Sequence, residues 1–177
     1  MEQVYARPLL VISRCIEFEA CRYDGSKIPS PLVARIRDYA DCIPVCPEVE
    51  IGLGIPRATV RIVKTDGIDH LIQPATGLDY TKKMSEFAQR FLSNLPPVDG
   101  FILKAGSPTS GLRGVKVYPS VGKSMAIEKT AGFFAREVLR KYSSLPMEDE
   151  LRLNHIRIRD HFLTAVFTLA AFRNIEE

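Results

Sequence analysis

Apolar and polar positions change period several times along this chain, and each change marks an element. Residues 8–13, Pro-Leu-Leu-Val-Ile-Ser, are an unbroken apolar run rich in β-formers, the pattern of a central parallel strand. Residues 43–45 end a second short buried strand, and residues 100–104, Gly-Phe-Ile-Leu-Lys, form a third. Between the first two, Ser30-Pro31 predicts a helix start, with serine as cap and proline in the first turn. That helix runs to about Asp41 and puts Leu32, Ile36 and Tyr39 on one face. Met84, Phe87, Ala88, Phe91, Leu92 and Leu95 recur at spacings of three and four, so a second, amphipathic helix follows residues 77–81 and ends at Pro96-Pro97. Residues 124–144 read as a third helix with an inward stripe of Ile127, Ala131, Phe134, Val138, Leu139 and Tyr142. Residues 59–63 and 69–73 flank Thr65-Asp66-Gly67, a hairpin signal, and residues 115–118 form a further short strand. After Pro146, two helical stretches are expected, over residues 148–155 and 159–173. Residues 162–172 carry no charge and need a surface to cover them: the main domain, another copy of the chain, or a further domain.

Strands alternating with helices predict an α/β fold with a largely parallel sheet flanked by helices and a short C-terminal helical extension. The expected division is an α/β domain over residues 1–145 and a helical extension over 146–177. The C-terminal ends of parallel strands share one edge, where open α/β sheets bind ligands. Three strand ends lead into Cys15, Cys46 and the loop 106–111, so these are expected to converge.

Composition narrows the class. The chain has 177 residues, 46% hydrophobic and 25% charged, the balance of a folded protein with one sizeable core. A net charge of +3 and the lack of a basic stripe interleaved with aromatics do not argue for nucleic acid. No apolar run reaches membrane-span length, and Met-Glu-Gln-Val-Tyr at the start has no secretory pattern, so the cytoplasm is the expected compartment. There, Cys15, Cys21, Cys42 and Cys46 are expected to serve metal, catalysis or packing rather than disulfides. His70, His155 and His161 read as surface or packing residues.

The densest chemistry lies between Cys42 and Arg57. Cys46-Pro47-Glu48 stops the second strand and sets a thiol and a carboxylate at its end, with Gly52 and Gly54 following. Thiolates hold iron–sulfur clusters, although Cys15 and Cys46 have neither ferredoxin nor C-x-x-C spacing. The loop 105–111, of small and hydroxyl residues, is a plain turn or a cradle for a polar ligand.

Several segments together resemble the 2-thiouracil desulfidase family. They are Ile12-Ser13-Arg14-Cys15, Arg22-Tyr23-Asp24-Gly25, Val45-Cys46-Pro47-Glu48, residues 52–57, Ile102-Leu103-Lys104 and Ser107-Pro108. Residues 115–118 and 145–153 look like its longer branch, in which a helical domain follows. The resemblance implies an oxygen-sensitive [4Fe-4S] cluster held by three cysteines, and conversion of a thiolated pyrimidine to its uracil form with release of sulfide. It implies Cys15 and Cys46 as cluster ligands, Glu48 as acid/base and Ser107 as a substrate-positioning group. The family pattern Ser-Pro-Ser-Cys-Gly reads Ser107-Pro108-Thr109-Ser110-Gly111 here, so serine stands at the third ligand position. Three readings stay open: Ser110 ligates through oxygen, Cys42 or Cys21 substitutes, or the chain keeps the fold without a stable cluster and binds a pyrimidine or handles sulfur.

Overall fold

The computed structural model describes residues 5–176; Met1 to Val4, part of the N-terminal stretch read above, lie outside the described residues. In chain order the elements are β1 (Leu9–Ser13), α1 (Pro31–Tyr39), β2 (Asp41–Val45), α2 (Pro47–Glu50), β3 (Arg61–Thr65), β4 (Ile68–Gln73) and β5 (Leu78–Asp79). They continue as α3 (Thr81–Ser93), β6 (Gly100–Leu103), β7 (Val115–Tyr118), β8 (Glu128–Thr130), α4 (Phe133–Lys141), β9 (Met147–Asp149) and α5 (Ile156–Glu176). The fold is α/β. A four-stranded sheet has the order β2-β1-β6-β9 with every pair parallel. Beside it lies a five-stranded sheet, β5-β4-β3-β7-β8, antiparallel except where β3 meets β7.

Alternation along the buried strands sorts the core into two layers. Val11, Phe101 and Leu103 face the layer built with α3, α4 and the second sheet. Leu10, Ile12 and Ile102 face the other way, towards Val33 and Ile36 of α1 and Phe162 and Val166 of α5. The apolar stretch of α5 thus packs on the chain's own sheet. Its far end is tied down by Arg173, which donates to the buried Asp99 carboxylate at 2.8 Å; Asp99 also accepts from the Leu9 amide at 2.7 Å. In the β3–β4 turn, Asp66 and Gly67 both take positive φ, the geometry that favours an Asp-Gly hairpin.

Three expectations from periodicity fail. Residues 124–144 are not one helix. Glu128–Thr130 pairs with β7, α4 begins only at Phe133, and Ile127 and Leu139 are exposed. Gly132 sets that start, because a Cβ there would lie 2.5 Å from the Thr109 backbone. Residues 148–155 are not a helix either. Pairing with β6 draws Met147–Asp149 into the sheet, and the Asp149 carboxylate then caps a short 3-10 turn, Arg152–Asn154. Tyr39, grouped on one face of α1 with Leu32 and Ile36, is exposed, and Val33 joins Ile36 in the core instead.

Candidate active site

The C-terminal ends of β1, β2 and β6 open onto one cavity of about 250 Å³. Cys15, Cys46, Glu48, Ser107 and Ser110 all line it, so the topology does bring the expected residues together. Cys15 follows β1, where the Arg14 amide donates to the Val45 carbonyl at 2.8 Å and binds the two strand ends to each other. Cys46 sits at the N-cap of α2, with Pro47 at its first position, so the strand leads straight into a helical turn. That turn aims Glu48 at the cavity. The 107–111 loop hangs from the start of α4: the Gly132, Phe133 and Ala135 amides donate to the carbonyls of Gly111, Pro108 and Thr109.

Glu48 is held on both oxygens. Arg57 donates to Oε2 through Nε at 2.8 Å and through a terminal nitrogen at 2.6 Å, while Thr109 Oγ1 donates to Oε1 at 3.0 Å. The pair is nearly dry, with side chains 6% and 13% exposed for Arg57 and Glu48. Because the Thr109 proton goes to a carboxylate, which only accepts, the 2.9 Å contact between Ser107 Oγ and Thr109 Oγ1 takes its proton from Ser107. Ser107 Oγ also accepts from the amides of Thr109 and Ser110. A chain of protons therefore runs from Ser107 through Thr109 to Glu48. Across the cavity, Lys104 pairs with the buried Glu150 at 2.6 Å, and Glu150 also takes the Ala105 amide.

Three free, buried cysteines border this space: Cys15, Cys46 and Cys21. Burial pushes the Cys15 thiol up to about 12, and Cys21 and Cys46 add to the rise. Burial likewise pushes Cys46 up to about 11, with Cys21 and Glu48 adding and the Val49 amide and Arg57 opposing. Cys42 does not line the cavity; it lies near the other end of β2, opposite Leu10. The histidines are elsewhere: His70 meets Asp79 at 2.9 Å on the second sheet, and His155 and His161 are exposed.

A protein-family model described as 2-thiouracil desulfurase matches residues 10–150. The chain belongs to this family. It is 29% identical over 140 residues to the uncharacterized protein YbbK of Bacillus subtilis, an alignment spanning 71% of this chain and 92% of that protein. A solved structure titled [4Fe-4S]-dependent thiouracil desulfidase TudS superposes with a TM-score of 0.60 at 24% identity, over 86% of this chain and 97% of that one. That likeness establishes a shared fold.

Arg57, Thr109 and the Lys104–Glu150 pair were not assigned roles from the sequence of this desulfurase-family chain. Arg57 closes the Gly-Ile-Pro-Arg stretch that marks the family resemblance, so a signal for it existed. Glu150 lies 46 residues from Lys104 in a stretch expected to be helical, and only the β6–β9 pairing brings the two together.

Proposed function

We propose that this chain hydrolytically desulfurates a thiolated pyrimidine, with an iron–sulfur cluster held in the cavity by Cys15 and Cys46. The observation that carries this reading is the meeting of buried thiols and a fixed carboxylate in one cavity of a 2-thiouracil desulfurase family member. The donor set fits such a group. Among the described residues, no three His, Cys, Asp or Glu side chains are grouped to hold a metal ion. One ion draws thiolate sulfurs to about 2.3 Å from itself, hence to about 4 Å from one another. A multi-iron cluster spreads its thiolates over a larger frame, and soft sulfur donors lining one cavity suit it.

In the net reaction, the oxygen of water bonds to the thiocarbonyl carbon and the carbon–sulfur bond breaks. The sulfur leaves with two protons as hydrogen sulfide, and C=S becomes C=O. When bound, the cluster supplies a Lewis-acidic iron with affinity for soft sulfur. Glu48 accepts a proton from the attacking water. Arg57 keeps that carboxylate anchored, and Thr109 leaves Oε1 with spare accepting capacity. Ser107 orders the loop against which the pyrimidine rests and links it to Glu48 through Thr109. The buried walls of the cavity limit competing water. A reducing cytoplasm keeps the thiols available, and among the described residues no helix is long and apolar enough to cross a membrane.

The test is anaerobic reconstitution followed by incubation with 2-thiouracil, reading uracil and sulfide. Glu48→Gln should keep its iron and lose about 10²–10⁴-fold in turnover. Unchanged turnover in that variant removes Glu48 from the mechanism. A fully loaded protein that releases no sulfide from 2-thiouracil, its nucleoside or its nucleotide refutes the reaction. A second reading, a fold that binds a pyrimidine without a cluster, is favoured only by serine at position 110. A protein that stays iron-free after reconstitution and still binds uracil in equilibrium dialysis would establish it.

A further inference from the structure

The Cys21 side chain has no part in the reaction as described, yet the residue is fully buried and borders the same cavity as Cys15 and Cys46. It reaches that cavity from the loop between β1 and α1, whose path several contacts fix. The Cys15 carbonyl accepts from the Ile28 amide at 2.8 Å, and the Cys21 amide donates to the Glu19 carbonyl at 2.9 Å. The Cys21 carbonyl accepts from Arg57 at 3.0 Å, on the same guanidinium that holds Glu48. It also lies 3.8 Å from Cys46 Sγ, which donates to it. Cys21 is therefore packed directly against one expected ligand.

Cys15, Cys21 and Cys46 belong to one buried cluster of side chains and line the same cavity.

Ser110 is the competing donor. It too lines the cavity, and its amide is bonded to Ser107 Oγ. A neutral hydroxyl is a hard, weak donor, whereas iron–sulfur clusters select soft thiolates.

The geometry points to Cys21 as the third cysteine ligand of the cluster, in place of the residue at position 110. This assignment rests on the proposed function for the cluster's presence but not for the reaction it serves. The ligand set then comes from Cys15 and Cys21 on one loop and Cys46 at the start of α2, all in one buried cluster that borders the cavity. The 107–111 loop is left free to face the substrate.

The experiment compares the full-length protein with Cys21→Ser, Cys21→Ala, Ser110→Ala and the double variant Cys21→Ser/Ser110→Cys after anaerobic reconstitution. The readouts are iron and labile sulfide per chain, the visible absorption of the cluster, and the circular dichroism of the metal-free form. The starting protein and Ser110→Ala are expected to hold about four irons per chain. Both Cys21 variants are expected to lose most of that iron, and the double variant to regain it. Cys21→Ser is nearly isosteric, and rescue in the double variant separates a lost ligand from a lost fold. Full iron in both Cys21 variants overturns the assignment. So does iron loss in Ser110→Ala as complete as in Cys21→Ala, or uptake only after a cysteine is placed at 110. A starting protein that holds the cluster through Cys21 yet releases no sulfide leaves this assignment standing and refutes the reaction alone.

Discussion

Replacing Arg57 with methionine tests how the cavity's carboxylate is held. The guanidinium donates four hydrogen bonds, two to Glu48 Oε2 and one each to the carbonyls of Cys21 and Gly54. Methionine keeps the length of the stem and removes all four. Glu48 is then left as a nearly buried carboxylate with only Thr109 to satisfy it. An exposed ion pair contributes about 0–1 kcal/mol, but removing one partner of a buried pair costs about 3–5 kcal/mol because the other charge is stranded. With the side chains 6% and 13% exposed, the larger figure applies. For a domain of this size that loss lowers the melting midpoint by roughly 6–20 °C. The assay is urea denaturation of the metal-free protein. The double variant Arg57→Met/Glu48→Gln removes the stranded charge along with its partner, so it should cost less than the sum of the single changes by about 0.5–3 kcal/mol. Arg57→Lys should not restore stability, because an ammonium cannot reach two carbonyls and a carboxylate in a planar fork. A loss under about 1 kcal/mol in Arg57→Met, or strict additivity in the double variant, would falsify the assignment of this pair as a dry anchor.

Gly132→Ala places a Cβ 2.5 Å from the Thr109 backbone, so the loop carrying Thr109 and Ser110 must move; a cost of about 1–3 kcal/mol in denaturation is expected, with turnover lowered and the iron content kept. Burial holds Cys15 at about 12 and Cys46 at about 11, both above the unfolded value near 8.5, so the folded thiols keep protons that the unfolded chain releases. The stability this contributes is complete below about pH 8.5 and is lost as pH rises towards 11–12, by up to about 1.4 kcal/mol per pH unit for each thiol. Urea midpoints of metal-free protein at pH 8 and pH 10 should show the fall, and a Cys15→Ala/Cys46→Ala variant should flatten it; a flat profile in the unaltered protein refutes the burial. Ending the chain at residue 145 removes β9 and uncovers Leu10, Ile12 and Ile102, so no cooperative melt is expected. A melt matching the full chain would instead establish residues 1–145 as an independent domain.

The two central strands, β1 and β6, could be read in the sequence because they are short, continuous apolar runs; β2, expected to be buried, is instead an edge strand with only Val45 buried. Helix α3 could also be read, because its apolar positions recur at helical spacing over several turns. The convergence of Cys15, Cys46 and the 106–111 loop followed from topology, since parallel strands put their C-terminal ends on one edge. Periodicity misled where the partner was distant in sequence. Residues 128–130 and 147–149 carry weak local preferences, and pairing with β7 and β6 overrides them. Which thiols border the cavity was equally undecided. Cys21 and Cys42 looked equivalent along the chain, but a fixed loop brings Cys21 to the site, while strand register keeps Cys42 near the far end of β2. The sequence by itself determined the α/β class and which strand ends would meet at one edge, because those depend on local pattern and strand order. The tertiary structure decided the dry Arg57–Glu48 pair, the hydrogen bonds from Ser107 through Thr109 to Glu48 and the arrival of three cysteines at one cavity. Each depends on side chains from separate segments meeting where water is excluded, and no local pattern encodes that meeting.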